Sequence, residues 1–151
     1  MAMHEALIRG LIAVSFGLCG SAAAQDRLNG NVGVTALTAS VTGKQFVCSA
    51  TIQNIHDDTA RDVTLVVLMP VEVITARLPA GCAAVTTPKA GKNYTGFVQC
   101  RWAELRVGQS ASVQIGSTIS PVATSRTCGA FVWNRLPDID PSNNYKTATA
   151  P

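Results

Sequence analysis

The sequence predicts an all-β sandwich of seven or eight mostly antiparallel strands behind a cleaved leader. Three observations predict it. Short β-branched runs recur about every ten residues, separated by Gly, Pro, Asn and Asp, as in sandwiches and barrels. Helical periodicity is almost absent beyond the first residues. Four cysteines follow the leader, with Cys48 and Cys128 in two separate strand-like runs and Cys82 and Cys100 flanking a loop, as in an exported domain with structural disulfides.

The leader is read from residues 1–24. Arg9 is the only basic side chain of a short start, Gly10–Gly20 is an apolar and small-residue run, and Ala22-Ala23-Ala24 supplies small residues before a cut at Gln25. The run stops at Gln25-Asp26-Arg27, too soon for a membrane span of about 20 residues. Lipid attachment at Cys19 would want a small residue before it, and Leu18 is large. Cleavage leaves residues 25–151, expected as a single domain that buries roughly two thirds of its unfolded surface. Glu5 and Arg9 leave together, so the net charge stays +3. The remaining Lys and Arg are scattered and do not alternate with aromatics, which gives no nucleic-acid signature.

The strands follow in order. Val32–Val41 comes after Asn29-Gly30-Asn31 and ends at the turn Thr42-Gly43-Lys44. In the next run Phe46, Cys48, Ala50 and Ile52 alternate with Val47, Ser49, Thr51 and Gln53, so one face is buried. Asn54–Arg61 is a polar turn. Asp62–Met69 carries Val63, Leu65 and Val67 on one side and Val66 and Leu68 on the other, as in a strand covered on both faces. Val71–Leu78 lies between Pro70 and Pro79, which suggests a sheet edge. A loop rich in Thr, Pro, Gly, Lys and Asn (Thr86–Thr95) precedes Gly96–Trp102. Ser110–Ile119 alternates again. Thr127–Asn134 places Cys128, Ala130 and Val132 on one face and Phe131 and Trp133 on the other. Tyr145–Ala150 offers a last short strand.

Cys48, Cys82, Cys100 and Cys128 remain after cleavage, and four cysteines allow three pairings. Strand context favours Cys82–Cys100, stapling the loop, and Cys48–Cys128, joining two separate strands. A zinc or redox site would want closely spaced cysteines or several histidines, and the mature chain has only His56.

Other candidate sites have plain structural readings. His56, Asp57 and Asp58 could suggest acid–base chemistry, but no nucleophile motif or second histidine accompanies them, and a hairpin tip is expected. Asp138, Asp140, Asn143 and Asn144 are oxygen-rich and raise a calcium site. The EF-hand spacing fails, because Asn143 stands where Gly is needed and no Glu closes the loop, so a turn shaped by Asx side chains is expected. Trp102 and Trp133 are expected as core or rim anchors, with too few aromatics to spare for a carbohydrate platform. No cofactor is expected.

A set of motifs resembles one family. "TIQN" ends a strand before a polar turn, "ARDVTLVVLMP" follows, and "RLPAGC" comes shortly after it. Then come "VQCRWAELRVGQSASVQIGST" and "AFVWNRLPDIDPSNN". In this order they resemble the conserved repeat domain of bacterial surface proteins, domain of unknown function 11. The matching positions are Gln53-Asn54 at the strand end, Cys82 before the variable loop, Cys100 through Leu105 to the Gly108 turn, and Asp138 to Asn144 before the last strand. The resemblance implies an immunoglobulin-like sandwich without enzymatic activity. Cys48 and Cys128 are additions to that pattern.

The expected function is binding, adhesion or structural assembly, in the periplasm or at the cell surface. The expected partner is an envelope protein or another copy of the chain, without nucleic acid or stable membrane insertion. Pairing through the edge Val71–Leu78 would use Val71, Val73, Thr75 and Arg77. The alternative is a small-ligand or inhibitor module whose contact surface is the stapled loop Ala83–Gln99, with Lys89, Lys92 and Tyr94.

Overall fold

The structure is a computed structural model that describes residues 29–121 and 123–151. The expected leader lies outside the described residues. Among the described residues nine strands form: β1 (Val32–Thr42), β2 (Gln45–Asn54), β3 (Ala60–Leu68), β4 (Val73–Arg77), β5 (Cys82–Lys89), β6 (Lys92–Leu105), β7 (Ser110–Ile119), β8 (Thr127–Trp133) and β9 (Tyr145–Thr149). A short 3₁₀ turn, Pro141–Asn143, precedes β9.

Two antiparallel sheets face each other. One has the order β1-β2-β7-β4 and the other β5-β6-β3-β8-β9. The first has the A-B-E-D order of an immunoglobulin sandwich, and β3, β8 and β9 take the places of C, F and G. The hairpin β5–β6 is added beyond β3. The fold is therefore an immunoglobulin-like sandwich with an enlarged second sheet.

Alternation in the sequence sets which side chains enter the core. Phe46, Cys48, Ala50 and Ile52 of β2 are buried, as are Val113, Ile115 and Ser117 of β7. Val63, Leu65 and Val67 of β3, Val98 and Cys100 of β6, and Cys128, Ala130 and Val132 of β8 meet them from the other sheet. Each fully buried Val, Leu, Ile or Phe contributes about 1.5–3 kcal/mol of transfer free energy. Cys48 and Cys128 bridge the layers, with Cα atoms 6.5 Å apart. This is the B-to-F position of the inter-sheet disulfide of antibody domains.

The strand count corrects the expected seven or eight, and the reason lies at Thr86–Thr95. That stretch is not a loop. β5 and β6 run antiparallel from the pair Cys82–Cys100 to the pair Lys89–Lys92, and Ala90-Gly91 turns the chain. Both turn residues have positive φ, 49° and 73°, as a type I′ hairpin requires. Tertiary pairing beyond the sandwich overrides the loop-like composition. β4 packs over β6, so β5 projects past the four-stranded sheet and its side chains are mostly exposed.

Candidate binding site

The expected edge strand is in place: β4 ends its sheet and pairs only with β7. Its four candidate residues do not act as one surface. Val73 is fully buried. The Thr75 amide donates to Thr95 Oγ1 at 3.0 Å, across to the other sheet. Arg77 is exposed beyond an irregularity in the β4–β7 register. Val71 precedes the strand and is exposed.

Val71 instead joins the hairpin residues. The β5–β6 tip leans toward the Met69–Glu72 connection, and Lys89 Nζ pairs with Glu72 Oε1 at 3.1 Å. Lys89 is largely exposed, so this pair contributes at most about 1 kcal/mol. Between them lies a cleft of about 330 Å³, lined by Met69, Pro70, Val71, Glu72, Lys89 and Tyr94 among others. Its size is at the lower end for small-molecule pockets, about 300 Å³. Glu72 holds a left-handed backbone, φ 67°, at its rim. Lys92 and Tyr94 line an adjoining recess with Glu72 and Ile74. Val71, Lys89 and Tyr94, singled out in two separate contexts, thus meet in one place.

The outer face of the five-stranded sheet is a second exposed surface, and sequence reasoning missed it. Strand register sets its rows. Val85 pairs with Phe97 and Phe97 with Leu68. Val66 pairs with Phe131 and Phe131 with Tyr145. Trp133 stands beside Phe131, ring centroids 5.5 Å apart. Leu68, Val85, Phe131, Trp133 and Tyr145 are between 38% and 50% exposed. Gly129 lies beneath Tyr145, and a Cβ there would sit 3.1 Å from the Tyr145 hydroxyl.

Trp102 is half-buried and fits the rim, but Trp133 is open to solvent. Too few aromatics were expected to be spare for a platform, yet Phe131, Trp133 and Tyr145 form an exposed group. The signal was present in β8. Inward Cys128, Ala130 and Val132 force Phe131 and Trp133 outward.

The remaining candidates are turn elements. His56 Nδ1 accepts the Asp58 amide at 3.2 Å. Asn54, fully buried, donates to the carbonyls of Asp58 (2.7 Å) and Leu105 (3.0 Å) and accepts the His56 amide (3.1 Å). Asp138 Oδ1 accepts the Asp140 amide (2.8 Å), and Asp140 Oδ1 accepts that of Ser142 (3.2 Å). These are Asx turns. Asp138 Oδ2, Asn143 Oδ1 and Asn144 Oδ1 are buried without a protein hydrogen-bond partner. No group of three His, Cys, Asp or Glu side chains suited to a metal occurs among the described residues.

The second disulfide, Cys82–Cys100, closes the base of the hairpin. Both disulfides follow the pairing favoured by strand context. Among the described residues no helix is long and apolar enough to cross a membrane.

Compared with family models and with curated proteins, the sequence finds no match. Solved structures give distant similarities. One is a protein from Nocardia farcinica with an immunoglobulin-like fold, 14% identical, covering 76% of this chain and 96% of that one, with a TM-score of 0.45. Another is ChBD2 from Thermococcus kodakarensis KOD1, 15% identical, covering 70% and 96%, with a TM-score of 0.38. A third is the carbohydrate-binding module CBM3b of the cellulosomal cellobiohydrolase 9A from Clostridium thermocellum, 9% identical, covering 76% and 99%, with a TM-score of 0.40. By its own geometry the chain is a disulfide-pinned immunoglobulin-like sandwich with two exposed candidate binding surfaces.

Proposed function

We propose that this chain is an exported, non-enzymatic domain of the bacterial cell envelope or exterior that acts by binding a protein partner. Residues 1–24 are its leader and residues 25–151 its mature domain. One observation carries the reading: Leu68, Val85, Phe131, Trp133 and Tyr145 are exposed on one sheet face. Contiguous exposed apolar patches on a folded domain mark interaction sites. Aromatic residues are also enriched among those that dominate interface energies. Kinship with the bacterial surface-protein repeat domain is part of this proposal, and the sequence motifs support it.

The test is a photo-activatable amino acid at Tyr145, with Gln114 on the exposed face of β7 as control. In cells, position 145 yields a discrete protein adduct and position 114 does not. Equal labelling at both positions, or none at 145, overturns the face as the contact surface.

The cleft at the hairpin tip favours a second reading, a small-ligand module. Its apolar lining of Met69, Pro70 and Val71, with the charged pair Glu72 and Lys89, has the make-up of a small-molecule pocket. Tyr94→Ala and Lys89→Ala variants that bind the same compounds as the parent chain would remove this reading.

A further inference from the structure

We propose that the outer edge of β5 is a self-association surface, on which two copies pair antiparallel about Val85 and join their five-stranded sheets into one. A sandwich with two open sheets has four edges, and a free edge recruits another strand. Three of the four are engaged. β1 and β9 pack beside each other, and the Thr35 carbonyl accepts Lys146 Nζ at 3.2 Å. β4 is tied across to Thr95. β5 projects beyond all of these.

The hydrogen bonds of the hairpin fix which β5 groups point outward. A two-residue turn makes Lys89–Lys92 a bonded pair. At the other end the Arg101 amide donates to the Gly81 carbonyl (3.1 Å). The register slips between Val85, opposite Phe97, and Thr86, opposite Thr95, so Gly96 is an extra residue on β6 while β5 runs without an insertion. Both ends of β5 therefore give the same parity, and Ala83, Val85 and Thr87 turn their backbone groups toward β6. Cys82, Ala84, Thr86 and Pro88 turn theirs away. The Cys82 amide is already given to the Pro79 carbonyl (3.2 Å), and proline has no amide. Ala84 and Thr86 are left as the residues whose N–H and C=O both lie open on this edge.

A two-fold axis at Val85 uses those groups and no others. Ala84 stands opposite Thr86 of the second copy, Thr86 opposite its Ala84, and each pair exchanges two N–H···O bonds. Cys82 falls opposite Pro88, so the ladder ends where the donors end. Lys89 falls opposite Gly81 rather than its own copy, which avoids a like-charge contact. Val85 meets its own copy at a non-bonded position, where side chains approach to about 4.5–5.5 Å. The row Leu68–Phe97–Val85 then continues unbroken into the second molecule. Such a contact is isologous and closed, which limits assembly to a dimer.

The exported chain is tested by sedimentation equilibrium and by cysteine trapping. The expected result is a reversible dimer, with Val85→Cys giving a covalent dimer on a non-reducing gel. Ala83→Cys does not cross-link, because the two copies of Ala83 lie four residues apart along the ladder, about 13 Å. Ala84→Pro removes an outward donor, and Val85→Lys, on the exposed face, places like charges face to face. Both shift the chain to monomer, weakening association at least tenfold, with melting temperatures near the parent's. A parent chain that stays monomeric overturns the proposal, including one that captures an extended peptide from another protein. So does a dimer that persists in both Ala84→Pro and Val85→Lys, or equal trapping at positions 83 and 85. Labelling at Tyr145 reads the sheet face, so the two tests fail independently.

Discussion

Thr95 Oγ1 accepts the Thr75 amide at 3.0 Å and so ties the edge strand of one sheet to the hairpin of the other. Thr95 is 3% exposed. Its hydroxyl takes a donor that β7 leaves unused, and the edge is closed there by a side chain. This places a stability determinant inside a segment whose composition reads as a loop.

Thr95→Val keeps the shape and removes the acceptor. Leaving the half-buried Thr75 amide unpaired costs about 1–3 kcal/mol. The urea midpoint falls, and hydrogen exchange at the Thr75 amide speeds up more than at its β7 partner Ser117. Thr95→Ser retains most of the parent stability.

Asn54 is a fully buried polar hub. Besides its three side-chain bonds, its amide donates to the Gln109 carbonyl (3.0 Å) and its carbonyl accepts the Gly108 amide (3.0 Å). It fastens the β2–β3 turn, the end of β6 and the β6–β7 turn together. Asn54→Ala is expected to cost about 3–4 kcal/mol in denaturant unfolding. Gln53→Ala, which loses one exposed bond to Gly108, should cost less than about 1 kcal/mol.

The two disulfides separate by loop length. In the chain-entropy model the 18-residue separation of Cys82–Cys100 contributes about 3 kcal/mol, and the 80-residue separation of Cys48–Cys128 about 4.5. Cys48→Ala/Cys128→Ala therefore lowers the unfolding midpoint more than Cys82→Ala/Cys100→Ala. The reverse order would point to an added cavity cost at the hairpin base.

Ala90 occupies the first left-handed position of the hairpin turn. Asn tolerates that conformation better than Ala. Ala90→Asn is expected to stabilise by about 0.5–1 kcal/mol, read as a higher melting temperature.

The Asp138–Asn144 loop is shaped by its own carboxylates acting on backbone amides. Calcium is expected to leave the melting temperature and titration heats unchanged. Stabilisation by calcium would place the ion on Asp138 Oδ2, Asn143 Oδ1 and Asn144 Oδ1.

The strands that build the core were legible because one face of each must be apolar. Phe46, Cys48, Ala50 and Ile52 announce β2, and the same rule found β7 and β8. The outer half of the β5–β6 hairpin was not legible. It projects past the opposing sheet, buries little, and so carries no alternation, while Pro88, Gly91 and Asn93 mimic loop composition. Alternation also assigned Phe131 and Trp133 to the far side of β8. It could not say that, among the described residues, no second layer covers this side, so the aromatic surface went unread. Val71, Lys89 and Tyr94 were found separately, and only the fold of the hairpin back over Glu72 brings them together.

The Cys82–Cys100 bond at the root of the hairpin has one more effect. Proteases cut most readily at protruding tips, here Ala90-Gly91. A nick there releases nothing, because the severed halves stay covalently joined below the cut. The chain migrates as one species until a reductant is added, so a single cut at the tip leaves the sandwich covalently whole.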